Sequence, residues 1–249
     1  MQITLRPATA RDTWACASTA AAAFANSALI RRVSPNAQDV ARAFWSAVVA
    51  SGIEDPDTEM VVAEDASATP PAFLGFAKWV HVRAGAPAPG ILRAGANLRA
   101  RDVAGRQEPR AADGEGVNGG VNGGEHADAD PDVDLWSMTA EPELARRFFT
   151  EQNERHEKYM GRREHWYLEL ICAKPGEMGK GVGKRLLQWG LEKVDADGCE
   201  AYLEASPDGR PLFEKFGWKV VERLEYLDGE YVECSMVRDA VSAREENAE

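Results

Sequence analysis

The sequence lacks the features by which several classes of protein are recognised. Its four cysteines form no C-x-x-C pair and its four histidines are scattered, which predicts neither a disulfide framework nor a metal site. The N-terminus shows no charged segment followed by an apolar one, and no apolar run is long enough to span a bilayer. We therefore expect a soluble cytoplasmic protein that binds neither metal nor membrane.

Basic residues are also scarce. There are 29 Lys and Arg against 41 Asp and Glu, a formal charge of −12. This balance argues against a protein that binds nucleic acid by neutralising phosphates over its surface. It is compatible with a cationic substrate, although acidity also serves solubility. Hydrophobic residues make up 44% of the chain, which is enough to bury a core and excludes global disorder.

One internal segment differs in composition from the rest. Between Arg83 and Asp134 the chain is rich in Gly, Ala, Pro and charge, and it repeats Val-Asn-Gly-Gly at 117–124. Such a segment buries too little apolar surface to offset the entropy of ordering it. We predict a disordered insertion at 83–134 and a disordered tail at 241–249. Residues 1–82 and 135–240 then form a single domain.

The remaining sequence alternates between strand and helix patterns in the order β-αα-ββ-α-β-α-β-α-ββ. This order predicts an α/β domain with a mixed sheet. The dipeptide Asp228-Gly229 favours a hairpin between the last two strands. Predicted strands are 2–6, 60–63, 73–82, 166–173, 200–204, 219–227 and 231–238, and predicted helices are 10–24, 37–50, 143–159, 182–194 and 211–216.

The segment 166–189 is the most informative for chemistry. A strand runs into a turn that contains Gly179, Gly181 and Gly183, and a leucine-rich helix follows directly. Free backbone N–H groups at a helix N-terminus, with glycines beside them, suit an anion such as phosphate. Lys180 and Lys184 add positive charge there.

Two common phosphate-binding motifs do not fit this turn. A P-loop needs Gly where Met178 stands and Ser or Thr where Arg185 stands. The dinucleotide fingerprint needs Gly at Lys184 or Leu186. A purely structural role, in which the glycines permit a tight strand-to-helix turn, remains open at this point.

The wider pattern resembles a known family. The spacing Pro-x-x-Met-x-x-Gly-x-Gly-x-x-Leu-Leu, from Pro175 onward, resembles the acetyl-CoA pyrophosphate loop of the GNAT superfamily of N-acetyltransferases. The segment 202–218 and the opening Leu5-Arg6-Pro7-Ala8 followed by Asp12 are similar to further GNAT elements. The strands His-Trp-Tyr-Leu and Leu-Glu-Ala-Ser-Pro resemble fungal-type members in particular. The resemblance implies the GNAT fold, a mixed and mostly antiparallel central sheet with a splayed strand and flanking helices.

The resemblance also implies the reaction and the residues that bind the co-substrate. Acetyl-CoA would acetylate a primary amine directly in a ternary complex, without a covalent enzyme intermediate. Backbone groups of Ile171, Cys172 and Ala173 would bind the pantetheine arm. The pyrophosphate loop would comprise Met178, Gly179, Lys180, Gly181, Val182, Gly183 and Lys184, and Ser206 and Phe213 would lie on the CoA side.

Glu169, on the strand that leads into the loop, is the candidate general base, because several relatives carry a carboxylate there. The alternative is a half-buried strand glutamate paired with a neighbour. Two residues depart from the family pattern. Met178 stands where Gln or Arg is usual, and Phe213 stands where many members have a tyrosine that acts as general acid.

The acceptor amine stays open between a small molecule and a peptide. Acids on the last hairpin, which borders the acceptor site in this family, favour a cationic acceptor; they are Glu222, Glu225, Asp228, Glu230 and Glu233. The alternatives are a protein-directed acetyltransferase acting on lysine or N-terminal amines, and a degenerate CoA-binding sensor, which Met178 and Phe213 motivate. The chain is expected to be a monomer or homodimer.

Overall fold

A computed structural model describes residues 1–34, 38–87 and 139–241. Most of the predicted insertion at 83–134 and nearly all of the predicted tail at 241–249 lie outside these residues. Among the described residues, no helix combines the length and the apolar character needed to cross a membrane.

Seven strands form one sheet in the order β1-β2-β3-β4-β5-β7-β6. They are β1 (Ile3–Pro7), β2 (Thr58–Asp65), β3 (Ala72–Val82), β4 (His165–Ala173), β5 (Glu200–Ala205), β6 (Lys219–Tyr226) and β7 (Tyr231–Arg238). Among the described strands, only β4 and β5 run parallel to each other, and the other neighbouring strands are antiparallel. The predicted α/β class with a mixed, mostly antiparallel sheet is confirmed.

Helices cover both faces of the sheet. They are α1 (Thr13–Phe24), α2 (Ile30–Val33), α3 (Gln38–Glu54), α4 (Pro142–Met160), α5 (Val182–Ala196) and α6 (Arg210–Glu214). One apolar cluster joins α1 and α3 to β2, β3 and β4, and a second joins α5 to the opposite face. The apolar side chains of α5 recur every three or four residues, from Val182 through Leu186 and Leu191 to Val194, so one side of this helix faces the sheet.

Helix α5 lies unusually close to the sheet at one point. A Cβ atom built on Gly190 would lie 2.0 Å from Cε2 of Trp79, whose side chain is fully buried on β3. Only glycine leaves room for the indole ring here. This close contact sets the distance between α5 and the strands whose ends form the site.

Several predicted boundaries were wrong. The first strand, predicted at 2–6, extends one residue further and ends with Pro7, which pairs with Val61. This is possible because β1 is an edge strand, where a missing N–H need not break a ladder. The segment predicted as a helix from Ala10 begins with a 3-10 turn at Ala10–Asp12 before α1, and the short helix α2 was not predicted.

Candidate active site

Strands β4 and β5 separate soon after they meet. Their parallel pairing covers only three residue pairs, the last of which is Tyr167 with Tyr202. Beyond these pairs β4 continues to Ala173 while it pairs with β3 alone. Backbone groups of 168–173 that point toward β5 therefore have no strand partner. An extended ligand can hydrogen-bond to such an edge as an added strand would.

A β-bulge interrupts β4 at the start of this gap. Glu169 is the extra residue, since neighbouring residues of β3 pair with Leu168 and Leu170. Trp166 and Leu168 pack in the α5 cluster, whereas Leu170 and Cys172 pack in the α1–α3 cluster on the opposite face. The bulge therefore shifts the alternation of side chains, so that every second residue faces one helix layer before Glu169 and the other layer after it. It also exposes the backbone of the strand next to the gap.

The side chain of Glu169 is held by an ion pair. Lys78 Nζ lies 2.9 Å from Glu169 Oε1, and the two side chains are 7% and 3% exposed. Glu169 as a whole residue is only half-buried, so its exposed surface belongs mainly to the backbone of the bulge. The sequence alternative of a strand glutamate paired with a neighbour is observed, and the residue also lines the cavity described below.

The glycine turn leads from β4 to the N-terminus of α5. Gly179 and Gly181 have φ values of 77° and 89°, and a Cβ atom at either would meet nothing within 4 Å. Gly181 is the N-cap of α5 and supplies no side-chain cap. The first N–H groups of α5 therefore point toward open space, which is the arrangement expected of an anion cradle.

The lysines of this turn and Met178 are on the surface, whereas Val182 is not. Lys180 Nζ lies 3.1 Å from Glu177 Oε2, and Lys184 is exposed. Met178 is 70% exposed and Val182 is buried in the core. Two lysines therefore stand beside the cradle in a chain that is acidic overall, which favours an anionic ligand there.

A cavity of about 140 Å³ lies where β4 and β5 separate. Four of the predicted site residues line it together, namely Glu169, Ile171, Ser206 and Phe213, whereas Cys172 and the turn residues 178–184 do not. Aromatic side chains form much of its wall: Phe24, Phe44, Trp45, Phe148, Phe149 and Tyr231. The polar side chains that line it include Gln152, Tyr167, Glu204 and Glu233.

Glu204 is a cavity residue that the sequence reasoning did not single out. The Tyr167 hydroxyl donates a 2.8 Å hydrogen bond to Glu204 Oε2. The other oxygen, Oε1, is buried and accepts no hydrogen bond from the described part of the chain. Burial raises the pKa of Glu204 to about 7, and the hydrogen bond from Tyr167 partly opposes this. A single acid within the apolar run 201–205 was the sequence signal for it.

Glu233, on β7, has its own partners. Arg155 forms a buried ion pair with it, and Gln152 Nε2 donates a 2.8 Å hydrogen bond to its Oε1. Burial and the charge of Glu204 raise the pKa of Glu233, while Arg155 lowers it. Of the five hairpin acids named from the sequence, only Glu233 lines the cavity.

Ser206 and Phe213 border the cavity at the end of β5. Ser206 Oγ accepts a 3.2 Å hydrogen bond from the backbone N–H of Gly209 and so fixes the turn into α6. Phe213 is 5% exposed, and its ring meets Trp218 edge-on at 5.9 Å between centroids. A phenyl ring offers no proton, so position 213 cannot supply an acid to the cavity.

Neither Cys172 nor His165 is suited to catalysis. Burial raises the pKa of the Cys172 thiol to about 12, which makes it a poor nucleophile. His165 is fully buried, and its Nε2 lies 2.7 Å from Nε2 of His156. Among the residues the structure covers, no group of three or more His, Cys, Asp or Glu is arranged to hold a metal ion.

Comparison with known proteins places this site in context. The sequence model of the acetyltransferase (GNAT) family matches residues 144–218. A curated relative, the uncharacterized N-acetyltransferase YjcF of Bacillus subtilis (strain 168), is 32% identical over 74 residues, which are 29% of this chain and 52% of YjcF. The chain thus matches about half the length of that relative.

Two solved structures share the fold over nearly the whole chain. One, from Corynebacterium glutamicum, is described as histone acetyltransferase HPA2 and related acetyltransferase; its TM-score is 0.55 at 20% identity, covering 98% of this chain and 99% of that chain. The other is mosquito arylalkylamine N-acetyltransferase like 5b, with a TM-score of 0.53 at 15% identity, covering 95% and 99%. At such identities the likeness concerns the fold.

Proposed function

We propose that the chain, whose residues 144–218 match the acetyltransferase (GNAT) family, is a GNAT N-acetyltransferase that transfers an acetyl group from acetyl-CoA directly to a primary amine. The observation that carries the proposal is the continuity of three features along β4. The unpaired edge of the strand borders the aromatic cavity and leads into the open glycine turn.

The residues present fit acetyl-CoA. A pantetheine arm is an extended amide chain, and the free backbone edge at Ile171–Ala173 offers it donors and acceptors. A pyrophosphate fits the uncapped N-terminus of α5, where Gly179 and Gly181 leave space and Lys180 and Lys184 supply charge. Acetyl-CoA supplies the activated acyl group. Ser206 and Phe213 then border its thioester end.

The cavity contributes a proton acceptor and a dry environment. The amine nitrogen must be neutral to attack the acetyl carbon, the C–S bond then breaks, and the thiol leaves. Glu169 and Glu204 both line the cavity, and either carboxylate would take the proton of the amine. Because Phe213 provides no acid, the departing thiolate takes its proton from the amine or from water.

Direct transfer in a ternary complex is supported by the state of the nearby thiol. Cys172 is buried and its pKa is raised to about 12, so an acetyl-cysteine intermediate is disfavoured. The amine and acetyl-CoA would therefore be bound together, and initial-rate kinetics should show intersecting rather than parallel double-reciprocal lines.

Calorimetry with acetyl-CoA and CoA tests binding, and a thiol-release assay over small amines and peptides tests transfer. Gly181→Ala should weaken acetyl-CoA binding, because a methyl group would enter the cradle at a positive φ. Gly198→Ala is the matched control: this glycine has a φ of 63° and equally open surroundings at the other end of α5.

Three results would separate the candidate functions. Transfer to small amines supports the proposal, and transfer to peptides alone supports a protein-directed enzyme. Acetyl-CoA binding without turnover of any amine would indicate a CoA sensor. No binding at millimolar acetyl-CoA would contradict all three.

A further inference from the structure

The three glutamates that line the cavity differ in how their charge is balanced. Glu169 is in contact with Lys78, and Glu233 is in contact with Arg155. Glu204 instead faces the neutral hydroxyls of Tyr167 and Tyr202, the first of which donates a 2.8 Å hydrogen bond to its Oε2, and it forms no ion pair with a described residue. A carboxylate that is removed from water without a cationic partner is costly. A ligand that brings a cationic donor would remove that cost.

Glu204 lies beside the proposed acetyl-transfer site. Glu204 lies two residues after Tyr202, the last β5 residue that pairs with β4. It therefore stands where the two strands separate, at the cavity into which the free edge of β4 opens. A donor bound to Glu204 would approach that edge.

The cavity wall favours a ligand whose other groups are apolar. Phe24, Phe44 and Trp45 line one part of the cavity, and Phe148 and Phe149 line another. Aromatic surfaces stabilise an apolar body by excluding water from it. A second ammonium or a peptide amide placed against these rings would lose water without regaining hydrogen bonds. The cavity of about 140 Å³ is close to the size, about 150 Å³, that holds a benzene molecule in a protein core.

We propose that Glu204 binds the ammonium group of a small primary amine with an apolar body and accepts its proton before acetyl transfer. This inference rests on the proposed acetyltransferase function and names its substrate class and a second catalytic residue. The proton passes from the ammonium to Glu204, and the neutral nitrogen forms the C–N bond as the C–S bond breaks. The remaining excess proton on nitrogen goes to the thiolate, and Glu204 returns its proton to water.

The groups that face Glu204 decide its response to pH. They are Arg155 of α4, Tyr167 of β4, Tyr202 of β5 and Glu233 of β7. Burial raises the pKa of Glu204 to about 7, which suits a proton acceptor near neutral pH. Glu169, by contrast, is already in contact with the ammonium group of Lys78.

The test compares Glu204→Gln with wild type, using phenethylamine, spermidine and a lysine peptide as acceptors. Phenethylamine should be the best of the three. Glu204→Gln should lower its kcat/KM by about 100-fold or more and leave calorimetric acetyl-CoA binding unchanged. Glu200→Gln is the matched control, because Glu200 lies on the same strand and pairs with Arg163 on the surface; it should keep full activity.

Binding of phenethylamine to the CoA-saturated protein, measured by calorimetry, gives a second readout that needs no turnover. It should be lost in Glu204→Gln. The inference is overturned if the wild type prefers spermidine or the peptide, if Glu204→Gln retains activity close to that of wild type, or if phenethylamine does not bind. By contrast, absence of acetyl-CoA binding and of all transfer contradicts the proposed function itself.

Tyr167→Phe covers the case in which Glu204→Gln does not fold, as judged by thermal unfolding. This variant removes the hydrogen bond that lowers the pKa of Glu204. The acid limb of the kcat/KM profile should therefore move to higher pH while transfer continues. An unmoved acid limb would overturn the proton-acceptor role.

Discussion

Lys78 and Glu169 form an ion pair of 2.9 Å in which both side chains are more than nine-tenths buried. The pair joins β3 to the bulge of β4, directly under the backbone proposed to receive the co-substrate. A buried charge is tolerated only while its partner is present. The pair therefore couples the stability of the sheet to the shape of the site.

We expect Lys78→Met and Glu169→Gln each to lower the free energy of unfolding by about 3 kcal/mol, because each leaves one member of the pair without its opposite charge. The double variant should lose much less than the sum of the two. Urea unfolding of all four proteins measures this coupling. Additive losses would show that the pair contributes no mutual stabilisation.

Gly190→Ala should lower the free energy of unfolding by about 1–3 kcal/mol, because the new methyl group overlaps the Trp79 ring and pushes α5 from the sheet. Gly183→Ala, in the same helix, is the control: its Cβ would meet only Leu212 Cδ2 at an ordinary 3.5 Å. That change should be neutral or slightly stabilising, since alanine favours helix. Equal melting temperatures for the two variants would contradict the close-contact argument.

Acid should destabilise the protein through His165. Its Nδ1 lies 2.7 Å from the carbonyl oxygen of Arg163 and must carry the hydrogen, so its Nε2 accepts from His156. Burial lowers the pKa of His165 from its ordinary 6.5. The unfolded chain then binds more protons as pH falls below 6.5, and the contribution of the neutral ring is lost.

His165→Asn isolates this effect. Glu204 acts in the opposite direction, since its raised pKa favours the folded state on acidification, so the wild-type slope alone is not diagnostic. We expect the stability advantage of wild type over the variant to shrink between about pH 7.5 and about pH 5.5. Chemical denaturation at both values measures it. An advantage independent of pH would contradict the prediction.

Met178→Arg should strengthen acetyl-CoA binding about 3-fold to 10-fold, because a guanidinium would stand beside the proposed phosphate cradle. Folding should be unaffected, since Met178 is 70% exposed. The gain should fade at high salt, which screens exposed charges. Met178→Ala serves as the control for loss of the side chain, and titration calorimetry at two salt concentrations provides the measurement. An unchanged affinity would place the anion elsewhere.

Local signals explain what the sequence predicted correctly. The start of α5 at Val182 follows from the glycines before it and the leucines after it, and the strand Tyr231–Arg238 follows from its alternation. Glu169 lies on the predicted strand and lines the cavity, and its pairing with Lys78 depends on strand contacts between distant segments.

The missed features all depend on such distant contacts. Strict alternation would put Trp166, Leu168, Leu170 and Cys172 on one face, and the bulge that divides them arises from pairing with β3. Glu204 gained its importance because β5 separates from β4 at that point. His156 and His165 meet because α4 packs over the start of β4, which their scattered positions did not indicate.

The early separation of β4 and β5 divides the seven described strands into two groups, one of four strands and one of three. Only three residue pairs join the two groups. A long ligand in the gap would replace the missing hydrogen bonds between the two groups of strands. Binding of the ligand should then slow amide hydrogen exchange along β5 and β7, as well as on the edge of β4 that the ligand contacts. The two groups of strands would form one continuous hydrogen-bonded sheet only while the ligand is bound between β4 and β5.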